Sequence, residues 1–155
     1  MEAVWGSAVA VVGTLLGSAV TYAFQRDASR RSERFARSEA LRQERMAAYS
    51  AFAAALEDYR RGQSDRWYRK AVDPDGDAFL RARDEAHRLR TAARQALYRV
   101  RLLTDDDGVA RAAERAYRCT WDVSNAQDQP GHDARDAEAR QAVEAFVTQA
   151  SPVVR

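Results

Sequence analysis

Two histidines and a single cysteine are the side chains in this sequence most suited to acid–base, metal or nucleophilic chemistry. His87 has Asp84, Glu85 and Arg88 around it, which places it on a polar helix face as a solvated imidazole. His132 stands in a Pro-Gly-His-Asp stretch that reads as a loop, and the His132-Asp133 dipeptide is too short to define a metal-dependent phosphohydrolase. Cys119 falls mid-helix among small residues, where a thiol is usually an inert, semi-buried group. One cysteine excludes a disulfide within the chain and a multi-cysteine metal site. No HExxH, CxxC, Walker loop, glycine-rich cradle or GxSxG elbow occurs. Carboxylates are plentiful, but Glu57, Asp84, Glu114 and Asp136 each have an arginine four residues on. That spacing predicts ion pairs along helix faces. No constellation fills the roles of an active site, so neither catalysis nor a cofactor is expected.

The stretch "YRRGQSDRWYRK" (59–70) supports a different chemistry. Arg60, Arg61, Arg66, Arg69 and Lys70 interleave with Trp67 and Tyr68. Aromatic faces can stack bases while arginines hold phosphates, so this is a candidate nucleic-acid or partner patch. The competing reading has Trp67 and Tyr68 closing a helical core while the arginines are solvated. Asp58 and Asp65 dilute the charge and the chain's net charge is only +2, which favours the second reading.

These residues need elements to hold them. The 155 residues suffice for one small domain plus an anchor. Charged residues make up 31% of the chain with both signs mixed, and there are only three prolines and seven glycines. Alanine and arginine dominate, and both favour helices. Lys70 is the only lysine, a bias typical of a GC-rich, actinobacterial genome.

Ala3 to Phe24 is an uncharged run of 22 residues. As a helix rising ~1.5 Å per residue it reaches about 33 Å, against a bilayer core of ~30 Å. Glu2 precedes it, and Arg26, Arg30, Arg31, Arg34 and Arg37 follow, the reverse of a signal peptide. The arginine excess predicts a single-pass anchor in the cell membrane, N-terminus outside and the bulk of the chain cytoplasmic. The same arginines would lie against membrane lipid. Gly6, Ala10, Gly13, Gly17 and Thr21 share one helical face and include a GxxxG, a surface suited to homodimer packing in the membrane.

Beyond the anchor (1–25), residues 26–40 are nearly all polar and read as a basic juxtamembrane stalk. Apolar stripes then define four helices within 41–150, followed by a tail at 151–155. Met46, Tyr49, Phe52, Ala53, Leu56 and Tyr59 mark the first, over about 41–71. Phe79, Ala82, Ala86, Leu89, Ala93, Leu97, Val100 and Leu103 mark the second, with Asp77 as its N-cap. Val109, Ala112, Ala116, Thr120 and Val123 mark the third, opened by Thr104 with Asp107 and running to about 126. Ala139, Val143 and Phe146 mark the fourth, over about 133–150, after a "QDQPGHD" loop. Short connections make neighbours antiparallel. The predicted fold is all-α: a transmembrane helix continuing into a stalk and a cytosolic antiparallel bundle. A two-stranded coiled coil through the first cytosolic helix is the alternative architecture.

The segments "VVGTLLGSAVTYAFQR", "ERFARSEALRQERMAAYSAFAAAL", "DRWYRK", "ALYRVRLLTDD" and "AVEAFV" resemble KilB-type proteins of Streptomyces and related actinobacteria. The resemblance runs from residue 11 to about 147. It implies a small membrane-associated protein involved in conjugative plasmid transfer and spread. It implies no catalytic residue. The sequence therefore predicts a non-enzymatic membrane protein with a helical interaction domain, and as the alternative a membrane-tethered nucleic-acid-binding protein using Arg60–Lys70.

Overall fold

A computed structural model describes the backbone of residues 2–154 and the side chains of residues 32–154. The described chain is helical apart from short connections, with no strand. Four α-helices follow in order: α1 (Glu2–Val72), α2 (Asp77–Leu103), α3 (Asp107–Asp122) and α4 (Gln129–Ala150). A 3₁₀ turn, Val123–Asn125, follows α3, and a second, Ser151–Val154, follows α4. The chain divides into two compact units, Met1–Leu41 and Arg42–Arg155.

In the first unit the described side chains are almost all exposed, Phe35 among them at 74%. The anchor (1–25), Gly6, Ala10, Gly13, Gly17 and Thr21, and Arg26, Arg30 and Arg31 lie outside the residues whose side chains are described. Arg34 and Arg37 are exposed. Among the described residues no helix is long and apolar enough to cross a membrane.

The second unit is a four-helix arrangement built on the α1 residues from 42 onward. Proline is absent from α1 until Pro74, which disfavours helical geometry at Asp73 and ends the helix at Val72. The turn closes tightly: a Cβ at Gly76 would sit 2.3 Å from an Asp73 carboxylate oxygen, so a larger residue there would have to push the Asp73 side chain aside. Gly76, not Asp77, is the N-cap of α2. Asp77 instead lies in the first turn, where its negative charge still complements the positive end of the helix dipole. The capping of α3 is likewise displaced from the Thr104/Asp107 expectation. Asp106 Oδ1 accepts from the Gly108 and Val109 amides at 2.7 and 3.0 Å, while Thr104 Oγ1 accepts from the Asp106 amide.

The fourth helix begins four residues earlier than its apolar stripe predicts. Asp128 caps it by accepting from the Gly131 amide at 2.8 Å, and Pro130 occupies the first turn. Proline is tolerated there because its missing N–H has no helical partner to lose. His132 is therefore a helical residue and not a loop residue.

Side-chain pairs fix the topology. Tyr49 and Phe52 meet Phe146, and Arg60 meets Asp136, so α1 and α4 are antiparallel. Glu44 meets Arg99 while Gly62 packs on Leu89 and Ala86, so α1 and α2 are antiparallel. Arg101 pairs with Glu114 across α2 and α3, and Glu138 lies near Arg115 across α3 and α4.

Phe52 and Phe146 are edge-to-face at 5.0 Å and form the aromatic centre of the core. Leu56, Leu97, Val100 and Val109 surround them, with alanines at 48, 93, 113, 116, 142 and 150 closing the helix approaches. Met46, predicted on the core stripe, is 42% exposed, and Ala113, in place of Ala112, joins Ala116 as a fully buried alanine of α3. At the other end the packing turns polar. Gln63, 2% exposed, donates through Nε2 to the Trp121 carbonyl at 2.8 Å and to Ser124 Oγ at 3.0 Å.

Candidate functional site

The polar end of the unit is where the C-terminal part of α1 meets the α3–α4 turn. Trp67 anchors this junction. Its Nε1–H donates to the Ala126 carbonyl at 2.8 Å, its ring stacks on His132 at 4.6 Å, and Tyr68 approaches edge-on at 5.1 Å. His132 is 3% exposed. Its Nε2 lies 3.2 Å from Ser64 Oγ and its Nδ1 3.3 Å from Asp133 Oδ1. Tyr68 is half-exposed, and its hydroxyl accepts from Gln129 Nε2.

The seven-residue patch separates into two groups. Arg60 turns into the α1–α4 seam, bonding Asp136 at 2.5 Å and Glu57 at 2.9 Å. Burial alone would raise the Asp136 carboxyl, but hydrogen bonds and charge from Arg60 and Arg140 outweigh it and hold the group below its ordinary range. Arg61 pairs with Asp58 and Arg69 with Asp65. Arg66 and Lys70 carry no ion pair among the described residues. Both line a surface cleft of about 520 Å³ with Trp67. The opposite wall is the turn after α3, contributing Ser124, Asn125 and Gln127. No carboxylate lines this cleft. The other charged hollows mix signs, as where Arg118 and Arg135 face Asp122 and Glu138, or Arg61 and Arg88 face Asp58 and Glu85.

The turn residues were not legible as part of the site. Their polar run follows Val123 in the sequence, but nothing local to it predicts a position against Arg66 and Lys70.

A second, apolar groove of about 410 Å³ lies between α1 and α4 at the other end, lined by Met46, Tyr49, Ala53, Phe146, Val147 and Ala150. Cys119 is half-buried, its Sγ 3.8 Å from Glu138 Oε1. Burial first, then the Glu138 charge, pushes its thiol up against the opposing pull of Arg115, which disfavours the nucleophilic thiolate. His87 is exposed on α2. Among the described residues no cluster of three or more His, Cys, Asp or Glu could hold a metal ion.

Of the four ion pairs predicted from spacing, Asp136–Arg140 forms, at 2.7 Å. Glu57 instead takes Arg60, Arg88 takes Glu85, and Glu114 reaches across to Arg101 on α2.

No curated protein and no solved structure matches the chain. The family model described as "KilB plasmid transfer protein" matches residues 46–154, which takes in all of the bundle's core and both walls of the Arg66–Lys70 cleft. By that match across most of its length, the chain belongs to the KilB plasmid transfer protein family.

Proposed function

We propose that this chain is a single-pass membrane protein, N-terminus outside, whose cytoplasmic helical bundle is a non-enzymatic interaction domain serving conjugative plasmid transfer or spread. The observation that carries the reading is the charge pattern of its head. Twenty-two uncharged residues, Ala3–Phe24, are followed by Arg26, Arg30, Arg31, Arg34 and Arg37, with only Glu2 before them. Family membership supports the process. Three features support docking in preference to catalysis: paired arginines and carboxylates, a thiol pushed toward its protonated form, and an apolar groove between α1 and α4. The small-residue face through Gly13 and Gly17 supports self-association within the bilayer.

Cell fractionation and topology reporters test this. The full chain is expected in the membrane fraction and released by detergent but not by high salt. A fluorescent protein fused after Arg155 is expected to fluoresce, and alkaline phosphatase at the same place to be inactive. Recovery in the soluble fraction without detergent, or the reverse reporter result, overturns the reading.

A further inference from the structure

We propose that the cleft between α1 and the α3–α4 turn is a binding site for a nucleoside phosphate, taken either as a free nucleotide or as part of single-stranded DNA. Arg66 and Lys70 would hold the phosphate and Trp67 the base. The inference does not depend on the membrane reading.

The argument begins with charge. Of the five cations in residues 60–70, Arg60, Arg61 and Arg69 are neutralised by Glu57 and Asp136, by Asp58, and by Asp65. The two that remain line one cleft, and no acid shares that cleft. Unopposed cations in a concave surface concentrate anions. An arginine fork matches two phosphate oxygens, and a lysine adds a mobile point charge.

The second element is the indole. Trp67 is fixed by its bond to the Ala126 carbonyl and by its stack on His132. A planar ring held in place beside two free cations is a stacking platform with little ordering cost left to bear. The facing wall offers the Ser124 O–H, whose oxygen already accepts from Gln63, and the carboxamides of Asn125 and Gln127. One Asn125 N–H is committed to Asp122, which leaves its carbonyl and second N–H for a base edge. At about 520 Å³ the cleft falls within the size range of small-molecule sites. Duplex DNA is disfavoured, because the chain's charges nearly balance at +2 and no extended basic surface accompanies the cleft. An acidic peptide would satisfy the cations but leave the pinned indole and the carboxamides without a role.

The test uses the full chain in detergent, titrated with dAMP, dTMP, inorganic phosphate, a short single-stranded oligonucleotide and a polyglutamate peptide. Binding is measured by calorimetry at two salt concentrations. Expected is salt-weakened binding of nucleotide or oligonucleotide that falls about tenfold or more in Arg66→Gln/Lys70→Gln. An Arg81→Gln/Arg94→Gln control removes the same charge from α2 and should leave it unchanged. Comparable binding of dAMP or dTMP and the oligonucleotide identifies a free-nucleotide site; binding of the oligonucleotide alone identifies a strand site. The proposal is overturned by no binding of either, by equal loss in both double variants, or by inorganic phosphate or polyglutamate binding as tightly as the nucleotides and oligonucleotide.

Discussion

Asp136 is the carboxylate on which the α1–α4 seam converges. Its side chain and that of Arg60 are only 14% and 15% exposed, and Arg140 closes the second oxygen. Removing one member of such a pair leaves the other charge partly buried without its partner, which is where the cost arises. Asp136→Asn should therefore destabilise the bundle by about 2 kcal/mol, below the range for fully buried pairs because the seam is open at one edge. The pH signature follows from the direction of the shift. A carboxyl held below its ordinary range in the folded state contributes fully above the unfolded value of about 4 and loses that contribution as pH falls through the depressed folded value. Urea unfolding should show wild type and variant well separated at pH 7 and converging below about pH 4; a gap independent of pH would mean that the carboxylate is not the source. The sequence exposed only half of this site. Spacing predicts Asp136–Arg140, because both lie on one helix, but the Arg60 contact joins residues far apart in the chain and no periodicity encodes it. Glu114 is the same case: Arg118 is four residues away, yet Arg101 on the neighbouring helix is the partner.

At the scale of the helices, stripes were legible throughout and ends only where turn signals flanked them. Apolar spacing places α2 on its observed residues, since DPDGD and TDDDG bound it on both sides. The start of α4 was missed because Pro130 and Gly131 look like breakers, whereas proline in a first turn costs nothing and Gly131 supplies the amide that Asp128 caps. That reassignment has a consequence for the site, since it brings His132 onto the helix and beneath Trp67. Two caps can be tested in parallel. Asp106 satisfies two amides and Asp128 one. Asp106→Ala and Asp128→Ala should each cost about 1 kcal/mol, with the former the larger, and each should be largely rescued by asparagine or serine. Thermal unfolding of the alanine, asparagine and serine variants at both positions checks this. If Asp128→Ala leaves the midpoint unchanged, the α4 start is fixed by the Trp67–His132 stack instead of by its cap.

For the whole molecule, short connections and four stripes were enough to predict antiparallel helices, because loops of a few residues leave no other neighbour arrangement. What they could not predict is that the bundle would be apolar at one end and polar at the other, since Gln63, Ser124 and His132 look like surface residues until their partners are known. Among the described residues the core lies between Ala48 and Ala150, with Val153 and Val154 packed against it, and residues 32–41 contribute nothing to it. A chain lacking residues 1–25 should therefore fold with its core complete and unfold within about 3 °C of the full chain in the same detergent. On the proposed function it should also move from the membrane fraction to the soluble one, because the deleted residues contain the whole uncharged run. The two readouts separate two ideas. Retained stability with continued membrane association would place the attachment in the arginines that follow or in a protein partner. Lost stability would mean that the alanine-rich core, which buries little apolar area per residue, depends on the preceding helix or on self-association through it.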